Sequence, residues 1–509
     1  MPVAPVIPRL RLSRDASKPP LFDFVPTVRH VRVLADADVV SMGMEADART
    51  APGLLSGLLN HESVDAWLYS DEGPSPDLPR VPSPFGRADA PLGWVVAVGV
   101  EDGSSSKVRG PAVTHEVGWM EGASYRLSTI YDGELFRATK RCSETVSASP
   151  SPKEGRIRAR SDAVAVLSAE RIGADLFVNE RPYLHEVRPP LTDAVTLVTP
   201  AEALPLVSLF LRSQGVFLIT KGRNEYYPYS FSVNRGLFYW VGTRELLHEA
   251  WRWYGACTMG DQAQGSDELT YLGMSVLRRV QRTLQYRDDL LRALNRRHDN
   301  DDADDAAAAL DACLMSLMGA VDATARVAHR VLGLAGDTIW AGWQKNRWLE
   351  TVSREARKLA DVVAPTTPGS DALTILRLLR NSVHSCSLPP MGVSRMVGTR
   401  EVREGTVVRV PREQIEDIQA AVGRLGGQKA WGMTETSPGD VHAEPGILLE
   451  RLLPAILRLI NELMAATPME ARLGYSHSPN LADAKEPFDE WTRTSIRLQL
   501  GISDIATVL

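Results

Sequence analysis

The sequence predicts an α+β protein built from more than one domain, and three observations support this prediction. Its 509 residues exceed the size of one ordinary core and suggest two to four domains, at roughly 100–200 residues each. Up to about residue 235, short apolar runs alternate with Gly, Pro and Ser clusters. From Ser266 onward the apolar residues recur at helical spacing. We therefore expect an α/β domain followed by a helical one.

The first part contains five short apolar runs whose composition is typical of strands. A helix is predicted over residues 162–172, and it leads directly into one of these runs. Strands that alternate with helices indicate an α/β domain with a partly parallel sheet. The predicted strands are residues 31–40, 94–100, 174–178, 195–199 and 216–220.

The second part shows the apolar stripes of amphipathic helices. Ser266-Asp267-Glu268 predicts a helix N-terminus. The acidic run 299–305 is either a solvated linker or a helix N-terminus favoured by charge. A β-hairpin is predicted within 397–411, with Glu404-Gly405 at its turn. The remaining helices are predicted over residues 310–328, 348–363, 371–383 and 446–466, the last with a kink or a break at Pro454.

Composition and charge restrict the class of protein. The net charge of −6 provides no global basic field, so any RNA contact would require a local patch. The four cysteines form no C-x-x-C pair, which argues against a structural zinc site and fits a reducing cytosol. No segment has the composition of a signal peptide or an uninterrupted membrane span. We expect a cytoplasmic protein without a membrane partner.

One group of residues near the end of the predicted helix 371–383 suits phosphodiester chemistry. Arg380 and His384 lie four positions apart and share a helix face, Arg377 lies on the same stripe, and Asn381 is beside them. Arginine holds phosphate through a bidentate fork, and histidine is a general acid or base near neutral pH. RNA supplies its own 2′-hydroxyl nucleophile, so such a site needs no metal. Alternatively, the helix only buries its leucines and leaves these polar side chains in solvent.

The helices from about 309 onward, with Arg380-Asn381-Ser382-Val383-His384, resemble the HEPN superfamily of helical bundles. The resemblance covers residues 266–470 and implies a metal-independent ribonuclease that acts as a homodimer, often in toxin–antitoxin or antiviral defence. It assigns acid–base chemistry to His384, transition-state stabilisation to Arg380 and Arg377, and an orienting role to Asn381. The gap between Arg380 and His384 is shorter than is usual in that family. Some HEPN bundles are non-catalytic binding modules.

A second candidate site lies in the first part of the chain. Asp36 ends a predicted strand, Asp162 opens a predicted helix, and Asp175 begins the strand that follows. Carboxylates that converge at one sheet edge would bind Mg²⁺ or Mn²⁺, and the metal could activate water. Alternatively, these residues bind no metal: Asp162 is only a helix N-cap, and Asp175 is only a turn residue at the start of a strand.

These pieces, with the helix start at Thr199-Pro200, resemble PIN-like nuclease domains, and the resemblance implies a metal-dependent nuclease fold. The family's second acidic residue is not assigned, although Glu62 and Asp65 are candidates. The basic run 156–160 could contact a phosphate backbone. The aromatic-rich stretch 223–254 is either a base-stacking platform or an apolar junction.

Together these interpretations predict four regions: an α/β domain over 1–235, an aromatic-rich junction over 236–265, a helical bundle over 266–475 and a C-terminal tail over 476–509. The leading hypothesis is a ribonuclease effector in bacterial defence or stress, with RNA as substrate, a homodimer formed through the bundle, and a protein regulator. The alternative is a non-catalytic dimerisation or partner-binding protein whose first domain is a degenerate nuclease fold.

Overall fold

The computed structural model describes residues 21–23, 29–40, 50–71, 93–99, 113–145, 152–181, 184–185, 191–192, 194–223, 227–296, 300–385, 388–397, 400–473 and 489–502. The chain forms two compact units. The first, called the α/β unit, combines Ile7–Asn234 with Glu490–Gly501. The second, called the helical unit, is formed mainly by Arg235–Asp489. This division confirms the predicted change from a mixed to a helical architecture.

A mixed sheet forms the centre of the α/β unit. Within the described residues its strand order is β5-β4-β3-β2-β1-β6-β7, and β4 alone runs antiparallel to both of its neighbours, β3 and β5. From β1 the chain passes to β2 on one side and later to β6 on the other, so the order reverses between β1 and β6. The strands are β1 (Val31–Asp36), β2 (Val64–Tyr69), β3 (Gly93–Gly99), β4 (Val113–Glu121), β5 (Ser124–Tyr131), β6 (Leu176–Val178) and β7 (Thr196–Val198).

The middle of the central strand β1 is a continuous apolar run because both faces of the sheet are covered there. Val33, Leu34 and Ala35 of β1 are all fully buried, which explains a continuous apolar run rather than an alternating one. Leu34 packs in one core with residues of the third helix, among them Ala163 and Val166. The helices of this part are α1 (Ala51–Leu59), α2 (Asp132–Thr145), α3 (Pro152–Arg171) and α4 (Pro200–Ser213).

The predicted helix start at Thr199-Pro200 is confirmed. Thr199 is the N-cap of α4, and its backbone N–H donates to Glu202 Oε2 at 2.9 Å while its hydroxyl accepts from the Glu202 N–H at 3.4 Å. Pro200 occupies the first turn, where no N–H is needed. The hairpin β8 (Leu218–Arg223) and β9 (Tyr227–Ser232) follows.

Four long helices form the core of the helical unit. α7 and α8 pack against each other, α11 and α13 each pack against α8, and α13 also contacts α7 and α11. Asn300 begins α8, so residues 301–305 of the acidic run form a helix N-terminus and not a linker, and Asp299 lies outside the described residues. The helices are α5 (Arg235–Leu246), α6 (Ala250–Gln264), α7 (Glu268–Leu294), α8 (Asn300–Val331), α9 (Asn346–Glu355), α10 (Arg357–Asp361), α11 (Pro368–Ser385), α12 (Ile415–Arg424), α13 (Pro445–Ala466) and α14 (Met469–Leu473).

The hairpin predicted within residues 397–411 is wrong, because Arg400–Arg409 forms one strand whose hairpin partner precedes it. β10 (Pro390–Val397) pairs with β11 (Arg400–Arg409), so the strands connect between Val397 and Arg400. Gly405 pairs with Val393, and the register shift beside it leaves Glu404 as the extra residue of a β-bulge. A glycine inside a strand often marks a bulge, and here this signal resembles a turn. β12 (Met433–Ser437) and β13 (Asp440–Ala443) complete a sheet of order β10-β11-β13-β12.

The last described helix, α15 (Glu490–Leu500), belongs to the α/β unit and packs against α4 and β8. Ser208 Oγ donates to Gln499 Oε1 at 2.8 Å, and Gln499 Nε2 donates to the Leu218 carbonyl at 3.1 Å. The predicted tail 476–509 therefore contains part of this unit, and the predicted junction 236–265 forms α5 and α6 of the helical unit.

Among the described residues one helix, α8, is long and apolar enough to cross a membrane. More than half of its apolar window is buried within the protein. It packs against α7, α11 and α13. This environment is that of a helix packed in the protein core.

Candidate functional site

A cleft of about 860 Å³ opens at the carboxyl ends of β1 and β2 in the α/β unit. It lies where the strand order reverses, which is the position at which ligands bind in open α/β sheets. Among the side chains that line this acidic cleft, six are carboxylates and three are guanidinium groups. An excess of negative charge thus surrounds the cleft.

Three aspartates in the acidic cleft bind one arginine. The Nε of Arg181 donates to Asp36 Oδ2 at 2.7 Å, Nη1 donates to Asp162 Oδ1 at 3.0 Å, and Nη2 donates to Asp71 Oδ2 at 3.1 Å. Nη1 also donates to Ser161 Oγ at 2.9 Å, and that hydroxyl donates to Asp71 Oδ2 at 2.7 Å. Asp36, Asp71 and Asp162 are called the aspartate cluster below.

Separate elements position the members of the aspartate cluster. Asp36 is the last residue of β1, and Asp71 follows β2 by two positions. Asp162 lies inside α3 with no exposed surface, so it is not the helix cap considered above. Arg181 follows β6, and its guanidinium lies 5.7 Å from the centre of the Tyr69 ring.

Burial shifts the pKa values of Asp162, Arg181 and Tyr69. Burial raises the pKa of Asp162 above its ordinary value, although Arg181 opposes this shift. For Arg181, burial would lower the pKa, but Asp36, Asp71 and Asp162 together raise it, so the guanidinium stays charged. Burial, reinforced by the Asp71 charge, also raises the pKa of Tyr69, whose hydroxyl donates to Asp71 Oδ1 at 3.1 Å. Tyr69 is therefore a neutral donor.

Asp175 does not join the aspartate cluster. In the parallel pair β1–β6, Val33 lies opposite Leu176, so Asp175 precedes its strand while Asp36 ends the neighbouring one. The two residues lie at opposite ends of the sheet, about 10 Å or more apart along the strands. Asp175 instead accepts from the Arg32 N–H at 2.9 Å and pairs with Arg29 at 2.5 Å. Asp65 is opposite Arg32, at this same amino end, and it pairs with His30.

The aspartate cluster does not fit a metal ion as it stands. Among the residues that the structure describes, no group of three or more His, Cys, Asp or Glu side chains could hold one. The physical reason is Arg181, whose nitrogens bind an oxygen of each aspartate. Mg²⁺ and Mn²⁺ need those same oxygens at about 2.0–2.2 Å. The expectation of a metal at Asp36, Asp162 and Asp175 stays a prediction.

In the helical unit, α11 carries the other predicted site residues. Arg380 is half-buried, and its Nη1 donates to the Oδ1 of the exposed Asn381 at 3.2 Å. Arg377 is half-buried, and its Nε has no hydrogen-bond partner within the described part of the chain. The backbone of His384 lies in the last turn of α11, and its side chain is outside the description.

A pocket of about 680 Å³ lies beside the carboxyl-terminal end of α11. Asn381 and Ser382 line it from the helix, and Arg409 and Arg412 line it from the segment that ends β11. Ser382 Oγ donates to Gln414 Oε1 at 2.9 Å, which ties α11 to this segment. Arg409 is paired with Asp440 at 2.8 Å.

A group of cations surrounds Asp322 on α8. Burial raises the pKa of Asp322, and the charges of four cations oppose this shift. They are, in decreasing strength, Arg380, Arg326, Lys345 and Arg279. Next to Lys345, whose Nζ lies 5.6 Å from the ring centre, Trp340 is 69% exposed. Sequence reasoning missed this basic surface because its members come from four separate segments.

The aromatic-rich stretch 223–254 is mostly structural where the structure describes it. Phe238, Tyr239 and Trp253 are buried in the helical unit. The partly exposed Trp251 lies beneath Arg244, with 4.7 Å between the guanidinium carbon and the ring centre. These contacts favour an apolar packing role.

Comparison with family models, with curated proteins and with solved structures finds no match to this chain. The HEPN and PIN-like resemblances stay predictions that rest on the sequence motifs.

Proposed function

We propose that this protein is a metal-independent ribonuclease effector that cleaves RNA at the end of α11. The observation that carries the proposal is the position of Asn381, which is bonded to Arg380 and lines a pocket shared with Arg409 and Arg412. A four-helix core of the kind that the HEPN resemblance implies supports this reading. A role in bacterial defence or stress follows from the resemblance alone.

The proposed chemistry uses the substrate's own nucleophile. The 2′-hydroxyl of RNA attacks the adjacent phosphorus and the bond to the 5′-oxygen breaks, which leaves a 2′,3′-cyclic phosphate and a 5′-hydroxyl. His384 transfers the proton as general acid or base. Arg380, assisted by Arg377, stabilises the negative charge that develops on the phosphoryl oxygens, and Asn381 orients the reacting groups. A homodimer would bring two such motifs to one RNA.

Local charge supports binding of a polyanion despite the net charge of −6. The exposed Arg326 and Lys345 act on the same carboxylate as Arg380, so they belong to one basic surface. Lysine and arginine on such a surface bind phosphates and release counterions. The exposed Trp340 could stack on a base of single-stranded RNA.

Recognition without cleavage is the second candidate function. The closed aspartate cluster favours it, because Arg181 holds the carboxylates that a nuclease fold would use for a metal. The α/β unit would then be a degenerate nuclease fold, and the helical unit a dimerisation or partner-binding module.

The test is cleavage of total RNA and of a labelled single-stranded oligonucleotide by the full chain in excess EDTA. We expect His384→Ala to lower the rate by about 10²–10⁴-fold, the usual contribution of general acid–base catalysis. Arg380→Ala should also lower it, whereas Arg357→Ala should not, because Arg357 is 86% exposed on α10, outside the site. The products should carry 2′,3′-cyclic phosphate ends.

Two other outcomes contradict the proposal in different ways. Cleavage that requires Mn²⁺, survives His384→Ala and is lost in Asp162→Asn would move the chemistry to the acidic cleft. RNA binding without cleavage in either condition would favour the recognition function.

A further inference from the structure

Arg181 is enclosed by the aspartate cluster to an unusual degree. Each of its three guanidinium nitrogens donates to a different aspartate, and its side chain is only 10% exposed. The Asp36 and Asp162 side chains are 5% and 1% exposed. A cation therefore fills the space between the carboxylates at the reversal point of the sheet.

The aspartate cluster is not fully compensated by this one cation. Three carboxylates are hydrogen-bonded to a single guanidinium, although the charge of Arg158 also acts on Asp162. Oδ2 of the buried Asp162 has no hydrogen-bond partner among the described residues. A buried acceptor without a partner destabilises the fold, and more so when it is charged. This oxygen belongs to a side chain that lines the cleft, so it could bind a metal ion that takes the place of the guanidinium.

We propose that Arg181 is the resident cation of the acidic cleft, that it excludes divalent ions from the wild-type protein, and that removing its guanidinium converts the aspartate cluster into a Mg²⁺ or Mn²⁺ site. Arginine and metal compete for the same oxygens. Like charge also keeps them apart, since two cations so close would repel each other strongly. The aspartate donors are hard oxygen ligands of the type that both ions prefer.

The proposal is independent of the ribonuclease function, because it concerns a site in the α/β unit. It differs from the expectation for a PIN-like domain, in which the wild-type cleft would take the metal. Mn²⁺ binding by wild type and by variants of Arg181 distinguishes the two possibilities, and this measurement needs no enzymatic activity.

The experiment titrates Mn²⁺ into the full chain and follows free Mn²⁺ by electron paramagnetic resonance and unfolding by thermal melting. We expect wild type and Arg181→Lys, which keeps a positive charge, to bind no Mn²⁺ at about millimolar concentration, well above sensor-type affinities. Arg181→Ala should bind one ion and melt about 5–10 °C higher when free Mn²⁺ is about 100 times the Kd. Arg181→Ala combined with Asp162→Asn should lose both effects.

Arg252 provides a matched control. It also bonds to two carboxylates, Glu249 at 3.0 Å and Glu470 at 2.7 Å, but on a more exposed surface of the helical unit. Arg252→Ala should gain no Mn²⁺ binding, since two partly exposed carboxylates without a buried orphan oxygen make a weak site.

Three results would overturn the proposal. The first is Mn²⁺ binding to wild type that Asp162→Asn abolishes. The second is a folded Arg181→Ala that binds no Mn²⁺. The third concerns the case in which Arg181→Ala and the neutral Arg181→Gln are both unfolded without metal. Mn²⁺ should then restore a cooperative melting transition, and its failure to do so would overturn the proposal.

Discussion

Asp311 shows at the scale of one residue how burial makes stability depend on pH. It lies on α8, partly buried, and its Oδ1 has no hydrogen-bond partner within the described residues. Burial raises its pKa from 3.8 to about 6. The folded state thus binds the proton more tightly than the unfolded state, so this group stabilises the fold below pH 4 and loses that contribution as the pH rises through about 6.

We therefore predict that Asp311→Asn, which is neutral at every pH, becomes more stabilising relative to wild type as the pH rises. The urea midpoints of the two proteins should be similar at pH 4 and should separate up to about pH 7, beyond the raised pKa. The exposed Asp304 of α8 provides the control, and Asp304→Asn should not show this growth. A constant difference between pH 4 and pH 8 would contradict the assignment to Asp311.

The candidate sites were partly predictable at this scale. Asp36 was predicted from its position at the end of a strand and Asp162 from its position in a helix, and both do bind the same arginine, Arg181. Asp175 was expected beside them, but the parallel register places it at the other end of the sheet. Arg181 and Asp71 carry no local signal, because their partnership joins residues 110 positions apart and depends on the strand order.

At the scale of elements, α7 and α13 are joined by a buried ion pair. Arg287 Nε donates to Glu450 Oε1 at 2.5 Å, and the arginine side chain has no exposed surface. Within the described residues its two terminal nitrogens have no hydrogen-bond partner, although Asp288 lies 3.9 Å away. In such a pair, the attraction between the charges offsets the cost of removing them from water, and the net contribution to the free energy of folding is small.

Removal of one member of this pair should cost much more than removal of both. We predict that Arg287→Ala lowers the free energy of unfolding by about 3–5 kcal/mol, because Glu450 becomes an unpaired buried charge. Arg287→Met combined with Glu450→Leu should recover most of that loss. Urea unfolding of the three variants measures the coupling, and additive losses would show that the two side chains do not act as a pair.

Elements with strong periodicity were predictable, whereas those that depend on the sheet were not. The stripes of α8, α11 and α13 and the cap of α4 identify these helices directly. The hairpin β4–β5 and the helix α2 were missed, since the exposed edge strand β5 lacks an apolar run. The turn expected at Glu404-Gly405 is a bulge because pairing with β10 continues past it.

At the scale of the whole molecule, the α/β unit depends on a distant part of the chain. Ile496 and Leu500 of α15 are fully buried, and Gln499 bonds to Ser208 and to the Leu218 carbonyl. We predict that deletion from Glu490 onward exposes apolar surface of α4 and β8 and unfolds the α/β unit at a lower temperature. Hydrogen exchange should speed up in α4 and β8 and stay unchanged in α7 and α8.

The milder variant Gln499→Ala tests the same contact without deleting the helix. It should cost about 1–3 kcal/mol, because buried polar groups lose their partners. Unchanged exchange in α4 for both variants would show that α15 is dispensable.

The interrupted α/β unit also determines the order in which the protein can be made. A ribosome releases β1 to β9 first, but the helix that completes their unit emerges only after Arg235–Asp489 has been synthesised. At about 5–20 residues per second this delay lasts roughly 10–50 s. The helical unit, whose main segment is continuous, can fold during that interval. The acidic cleft thus belongs to the unit that closes last, and a nascent chain that stalls within the helical unit leaves α4 without its final partner.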